Sequence, residues 1–254
     1  MNTITQSSGY STDRFLQLCK RFWAVNQKMW TIGFSGALGL LIVIWLGINI
    51  IGGSGHNAAL AVTPIGLLLY QLGGYALTST IFSELNSVGS ASQMFTLPAS
   101  SFEKLFSAWF LTYFCITILS AGTLTLLSFI MGTGSSIFFE TGMQQNPEFS
   151  QLDLAGSILT YTIYHSIFLL GAVFFNNNNF LKTVLAMILF FAILGISSVL
   201  FLNFYTDANS FHISTDSLWF LSEGYHWVRI LSTVVITGFF ISLAYIRLKN
   251  RQVA

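Results

Sequence analysis

Six long apolar runs divide this sequence, and each is about 20 residues long. A helix of about that length crosses the roughly 30 Å hydrocarbon core of a bilayer. Charged residues make up only 7% of the 254, whereas a typical soluble domain has about a quarter. The sequence therefore predicts an all-α integral membrane protein with six transmembrane helices. The runs cover residues 31–51, 59–82, 105–131, 154–175, 180–204 and 228–246.

The basic residues predict how these spans are oriented, because Lys and Arg near membrane ends stay on the cytoplasmic side. Nine of the ten fall on one side of the predicted layout: Arg14, Lys20, Arg21, Lys28, Lys104, Lys182, Arg247, Lys249 and Arg251. Both termini are therefore predicted to be cytoplasmic. We divide the chain into an N-terminal cytoplasmic segment (1–30), a six-helix transmembrane domain (31–247) and a cytoplasmic tail (248–254). The net charge of +1 indicates no nucleic-acid partner.

The segment 11–29 has its apolar side chains near helical spacing on one side. The members of that side are Phe15, Leu18, Cys19, Phe22 and Met29. Such a pattern is typical of an amphipathic helix that lies in the membrane interface and contacts lipid. We therefore predict an interfacial helix before the first span, which either orients that span or contacts a partner.

The sequence has few motifs that carry chemistry. It contains no G-x-x-x-x-G-K-[ST] phosphate loop, and its four histidines are too scattered for a metal site. We expect no catalytic residue, no bound metal and no cofactor. His165 is the clearest ionisable residue inside a span, and it is a possible intramembrane polar site for substrate, a proton or even an enzymatic reaction. We favour a neutral histidine hydrogen-bonded between helices, since no acidic partner lies one helical turn away.

The stretch "TLPASSFEKLFSAWF" at 96–110 interrupts the apolar runs between spans two and three. Ser100 and Glu103 have the S-x-x-E spacing of a capping box, which predicts a helix start. Pro98 disfavours helical backbone at Leu97 and separates this start from the preceding chain. The upstream loop is predicted to form a short helix or turn exposed to a soluble partner. It carries Glu84, Leu85, Val88, Met94 and Phe95.

On these residues the chain resembles the ABC-2 type transporter permeases. That family has a cytoplasmic connection with a short coupling helix and an "LP-x-S-x-x-E" stretch, which Leu97, Pro98, Ser100 and Glu103 match here. A second similarity lies at 165–183, where a glycine-containing span four is followed by a short polar turn and a lysine. Gly171, the asparagine run and Lys182 match in kind.

The resemblance implies a permease subunit of an ABC exporter in the bacterial cytoplasmic (inner) membrane. A separate ATPase subunit would bind ATP and Mg²⁺, and a second permease, identical or different, would complete the pathway. The expected ATPase-coupling residues are Glu84, Leu85, Val88, Met94, Phe95, Leu97, Pro98, Ser100, Glu103 and Lys104. The alternative is a membrane-embedded structural or regulatory subunit that transports nothing.

Overall fold

The computed structural model describes residues 11–52, 55–86, 88–138, 154–206 and 224–253, and all regular structure in these ranges is helical. The all-α fold class is confirmed. In chain order the elements are α1 (Thr12–Gly52), α2 (Gly55–Thr80), a 3₁₀ turn (Ser83–Asn86), α3 (Val88–Phe95), α4 (Ser101–Trp109), a π-helical segment (Phe110–Cys115), α5 (Ile116–Phe138), α6 (Leu154–Phe174), α7 (Asn179–Thr206) and α8 (Gly224–Val253).

Five helical stretches in the described residues are long and apolar enough to cross a membrane. They belong to α1, to α4 continued through the π-helical segment into α5, and to α6, α7 and α8. This supports an integral membrane protein. The predicted second span, α2, is not among the five. It packs against α1, α5, α6 and α7. Its apolar run is interrupted by polar groups such as Gln71, Thr78 and Ser79.

The N-terminal amphipathic segment and the first span form one continuous 41-residue helix, α1. The predicted helix before the first span is present, and it runs on into that span without a break. The buried side of α1 includes Leu18 and Phe22 of the predicted side. It follows an i, i+4 stripe through Leu18, Phe22, Asn26 and Trp30, which leaves Met29 43% exposed.

Tight packing concentrates where the N-terminal half of α1 meets the 3₁₀ turn, α3, α4, α6 and α8. We call this cluster the loop-side core. Its buried members are Leu18, Phe22, Trp30, Ile81, Phe82, Leu85, Met94, Leu105, Ala108, Leu111, Leu169, Ala172, Val173, Ala244 and Leu248. The predicted tail shares in it, because α8 continues through 248–253 and buries Leu248 completely.

The connection between α6 and α7 is a short polar turn that brings the two helices close together. Asn178 has a φ of 53°, in the left-handed region that asparagine tolerates better than most residues. The side-chain amide of Asn179 donates through Nδ2 to the Ser79 carbonyl at 3.4 Å and to the Ala172 carbonyl at 3.3 Å. These bonds join the start of α7 to α2 and α6. Gly171 on α6 then faces Thr183 on α7, where a Cβ atom on residue 171 would collide with the threonine hydroxyl.

We predict that Gly171→Ala destabilises the protein by about 1–3 kcal/mol, the usual cost of overpacking a well-packed contact. Gly238→Ala in α8 is the matched control, because a Cβ there meets nothing within 4 Å. Thermal unfolding in detergent is expected to show a lower midpoint for the first variant and an unchanged or higher one for the second. Equal midpoints for the two variants would contradict the close α6–α7 approach.

Candidate functional site

The residues expected to couple to a partner lie at the junction of α2, α3 and α4. Glu84 and Leu85 belong to the 3₁₀ turn, and α3 runs from Val88 to Phe95. The side chain of Val88 lies outside the described residues. Leu97 and Pro98 form the turn before α4, and Ser100, Glu103 and Lys104 lie at its start. The short helix and the cap predicted for this region are both present.

Glu103 is the central polar group of the junction, although only 1% of it is exposed. It forms the predicted capping box: the Ser100 hydroxyl accepts from the Glu103 amide at 3.1 Å, and the Ser100 amide donates to Glu103 Oε2 at 2.8 Å. The other carboxylate oxygen, Oε1, accepts from the Ser11 amide at 3.0 Å and from Arg14 Nε at 3.2 Å. One carboxylate therefore joins the first turn of α4 to the first turn of α1.

A second ion pair joins α1 to the 3₁₀ turn. Arg21 Nη2 donates to Glu84 Oε1 at 2.9 Å, and the Phe22 ring meets Phe82 edge-on with centroids 5.7 Å apart. Ser90 on α3 donates its hydroxyl hydrogen to the Glu84 carbonyl. Arg21 is therefore linked through Glu84 to α3, the short helix of the loop.

The sequence did not single out Arg14 or Arg21 as site residues. Their carboxylate partners are 89 and 63 positions away, so no local motif joins the members of either pair. A usable signal was the seven-residue separation of the two arginines. Residues at i and i+7 lie on the same side of a helix, and that side meets the loop.

Most of the expected coupling residues are buried or partly buried, and only Pro98 and Ser100 of those with described side chains are exposed. Leu85 and Met94 are buried in the loop-side core, and Phe95 and Leu97 pack against it. These four side chains therefore hold the loop against the helices. Glu103 and Lys104 are also buried. The outer surface of α3 is formed instead by Gly89, Ser92, Gln93 and Thr96, at i, i+3, i+4 and i+7. We call these four residues the exposed α3 face. Its polar and small side chains suit contact with a soluble protein.

His165 on α6 is fully enclosed and lies opposite the π-helical segment. Its Nε2 is 2.9 Å from Thr112 Oγ1, and the Thr112 hydroxyl donates to the Ala108 carbonyl at 2.7 Å. Since that hydroxyl has a single hydrogen, His165 Nε2 carries its own hydrogen and donates to Thr112. The favoured interpretation, a histidine hydrogen-bonded between helices, agrees with this geometry.

Two tyrosines add further hydrogen bonds between α6 and the π-helical segment. Tyr161 donates its hydroxyl hydrogen to the Thr112 carbonyl at 2.8 Å, and Tyr113 and Thr162 share a hydrogen bond of 2.9 Å. Tyr161 fits because Gly74 on α2 has no side chain: a Cβ atom there would lie 2.6 Å from the Tyr161 ring. The π-helical winding, a local feature common at functional sites, thus lies where these three hydrogen bonds join α6 to the run from α4 to α5.

An apolar cavity of about 250 Å³ lies between α1, α2 and α5. Its walls include Gly33, Ala37, Gly73, Leu77 and Leu124, with Tyr70, Ser120 and Thr123 as the hydroxyl-bearing residues. This lining suits an alkyl or aromatic group and offers no charge to an ion.

No group of three or more His, Cys, Asp or Glu residues capable of holding a metal occurs in the described part of the chain. Protein-family models, curated proteins and solved structures give no match to this chain.

We predict that Glu103→Gln costs about 2 kcal/mol, because a charge-assisted bond to Arg14 and part of the capping box are lost together. Asp13→Asn removes the same charge from an exposed position one residue from Arg14 and is expected to cost a few tenths of a kcal/mol. Hydrogen–deuterium exchange should speed up in the first turns of both α1 and α4 only in the Glu103 variant. Faster exchange confined to α4 would show that the carboxylate does not hold α1.

The Thr112–His165 contact makes a second prediction. Thr112→Val leaves the histidine donor buried without its partner, which costs about 1–3 kcal/mol, whereas replacing both residues by apolar ones removes the unmet group. The double variant Thr112→Val with His165→Phe should therefore lose less stability than the sum of the single changes. Additive losses in detergent thermal unfolding would contradict the direct bond.

Proposed function

We propose that this chain is the transmembrane permease subunit of an ABC transporter, and that it works in export. The observation that carries the proposal is the way in which the segments on either side of α3 are attached to α1. The short helix α3 has an exposed polar face, and the 3₁₀ turn before it and the start of α4 after it are each fastened by an Arg–Glu pair to α1, the helix that contains the first span. Such an arrangement suits a helix that receives force from a soluble partner and passes it to membrane helices.

The partner would be a separate ATPase subunit, which binds ATP and Mg²⁺ and contacts the exposed α3 face. Movement of α3 reaches α1 through Glu84 and Arg21, and movement of α4 reaches α1 through Glu103 and Arg14. A ligand shifts a conformational equilibrium only as far as it binds the two states differently. The ATP-bound and ATP-free forms of the ATPase must therefore contact α3 differently.

A second permease chain, identical or different, would complete the pathway, with both termini of each chain in the cytoplasm of a bacterial cell and the spans in its inner membrane. The support for this arrangement is the layout of basic residues and the apolar surface of the helices. α7 illustrates the second point, since none of its membrane-spanning window is buried within the single chain.

The proposal is tested by co-expressing the chain with a phosphate-loop ATPase encoded beside it. Co-purification and stimulated ATP turnover are expected. Gln93→Trp places a large side chain on the exposed α3 face and should lower co-purification at least tenfold. Arg21→Ala should leave co-purification intact and lower the stimulated turnover at least twofold, because the α3 link to α1 is cut.

Lys20→Ala is the control for Arg21→Ala, since Lys20 is an exposed basic neighbour on α1. It should leave both readouts unchanged. An ATPase that neither co-purifies nor is stimulated would refute the permease function. Binding with no effect of Arg21→Ala on turnover would favour the non-transporting structural or regulatory subunit.

A further inference from the structure

The C-terminal half of the described chain has an unusual charge distribution. Residues 154–206 and 224–253 contain basic residues but no Asp or Glu. On α1, by contrast, two cations have carboxylate partners: Arg14 pairs with Glu103 and Arg21 with Glu84. Within the described residues, the positive charge of α6, α7 and α8 is therefore not offset by any carboxylate on those helices.

Three of these cations gather around the α6–α7 turn, and we call them the basic rim: Lys182, Arg247 and Arg251. The Arg251 guanidinium donates to the Phe174 carbonyl at 3.3 Å and to Asn176 Oδ1. The Arg247 guanidinium lies over the Phe174 ring, 5.0 Å from its centroid. Lys182 lies in the first turn of α7, directly after the same turn.

The helix positions explain why Arg247 and Arg251 lie together. They are one turn apart on α8, whereas the completely buried Ala244 and Leu248 face the loop-side core. Lys249, two positions from Arg247, projects from the opposite flank of the helix. Arg251 is hydrogen-bonded to the α6–α7 turn and therefore attaches α8 to that turn. Arg247 and Lys182 remain exposed.

Apolar side chains adjoin the rim on the membrane side. Leu181 is 65% exposed, and Leu185 and Ile246 also lie on the surface. A guanidinium binds a phosphate with paired, charge-assisted hydrogen bonds, and basic residues next to a span attract anionic lipids. The surface thus offers cations for a phosphate beside hydrocarbon contacts for acyl chains.

We propose that the basic rim binds the phosphate of an anionic phospholipid of the cytoplasmic leaflet, whose acyl chains lie along Leu181 and Leu185. Arg247 and Lys182 contact the phosphate, and Arg251 positions the α6–α7 turn that carries Lys182. This proposal goes beyond the permease function and does not depend on it.

Binding is measured on the full-length protein in zwitterionic detergent, by titration with phosphatidylglycerol or phosphatidylcholine and native mass spectrometry. Phosphatidylglycerol should bind at least tenfold more tightly. Arg247→Gln should weaken the binding of phosphatidylglycerol about fivefold, which is the contribution of one basic residue near an anionic surface. Lys249→Gln removes the same charge two residues farther along α8 and should change the affinity less than twofold. Arg247→Lys keeps the charge and should restore most of the affinity.

Several results would overturn the proposal. Equal losses in Arg247→Gln and Lys249→Gln would reveal general attraction to a basic helix end. Equal affinity for the two lipids would remove the requirement for an anion. Displacement of the lipid by soluble glycerol phosphate would assign the site to a free anion. A failure of Arg247→Lys to restore binding, with thermal unfolding lowered in both Arg247 variants, would show that Arg247 acts only in packing.

Discussion

The Glu103 carboxylate is the interaction on which the junction depends. A buried carboxylate is tolerated only when its oxygens are hydrogen-bonded or paired with a cation, because leaving water is costly. Here both oxygens are satisfied, one by the cap of α4 and the other by the first turn of α1. If these two helix starts separate, the Glu103 carboxylate loses its partners on α1. The two helix starts therefore behave as one unit.

The rest of the junction follows from that constraint. With its first turn fixed, α1 presents Leu18 and Phe22 to the loop-side core and Arg21 to Glu84. The 3₁₀ turn then holds α3 with its exposed face outward. Thr112 lies farther along the helical run that begins at Ser101. Its hydroxyl accepts from His165 and its carbonyl accepts from Tyr161, so α6 is fastened to the same run that carries Glu103. Polar contacts thus connect the loop with helices inside the bundle.

Local chemistry could be predicted from the sequence, and long-range pairing could not. The α4 start was predictable, because Ser100 and Glu103 are three residues apart and Pro98 precedes them. The Arg14 and Arg21 pairs were not, since each joins residues far apart in the chain. The continuity of α1 was also missed: its polarity changes near residue 30, but no Pro or cap interrupts the helix there. Met29 was predicted on the buried side but is exposed, because the buried stripe advances by four residues at each step.

The most direct test of this account is a cross-linking measurement in native membranes on a variant that lacks Cys19 and Cys115. The Phe15 and Phe106 rings have centroids 5.4 Å apart, so Phe15→Cys with Phe106→Cys should be joined efficiently by a short thiol cross-linker. Leu16→Cys with Phe106→Cys is the control, since Leu16 is exposed and points away from the buried stripe. Efficient linkage of the first pair alone is the result expected. Linkage of neither pair, or of both equally, would show that the N-terminal half of α1 does not pack against α4.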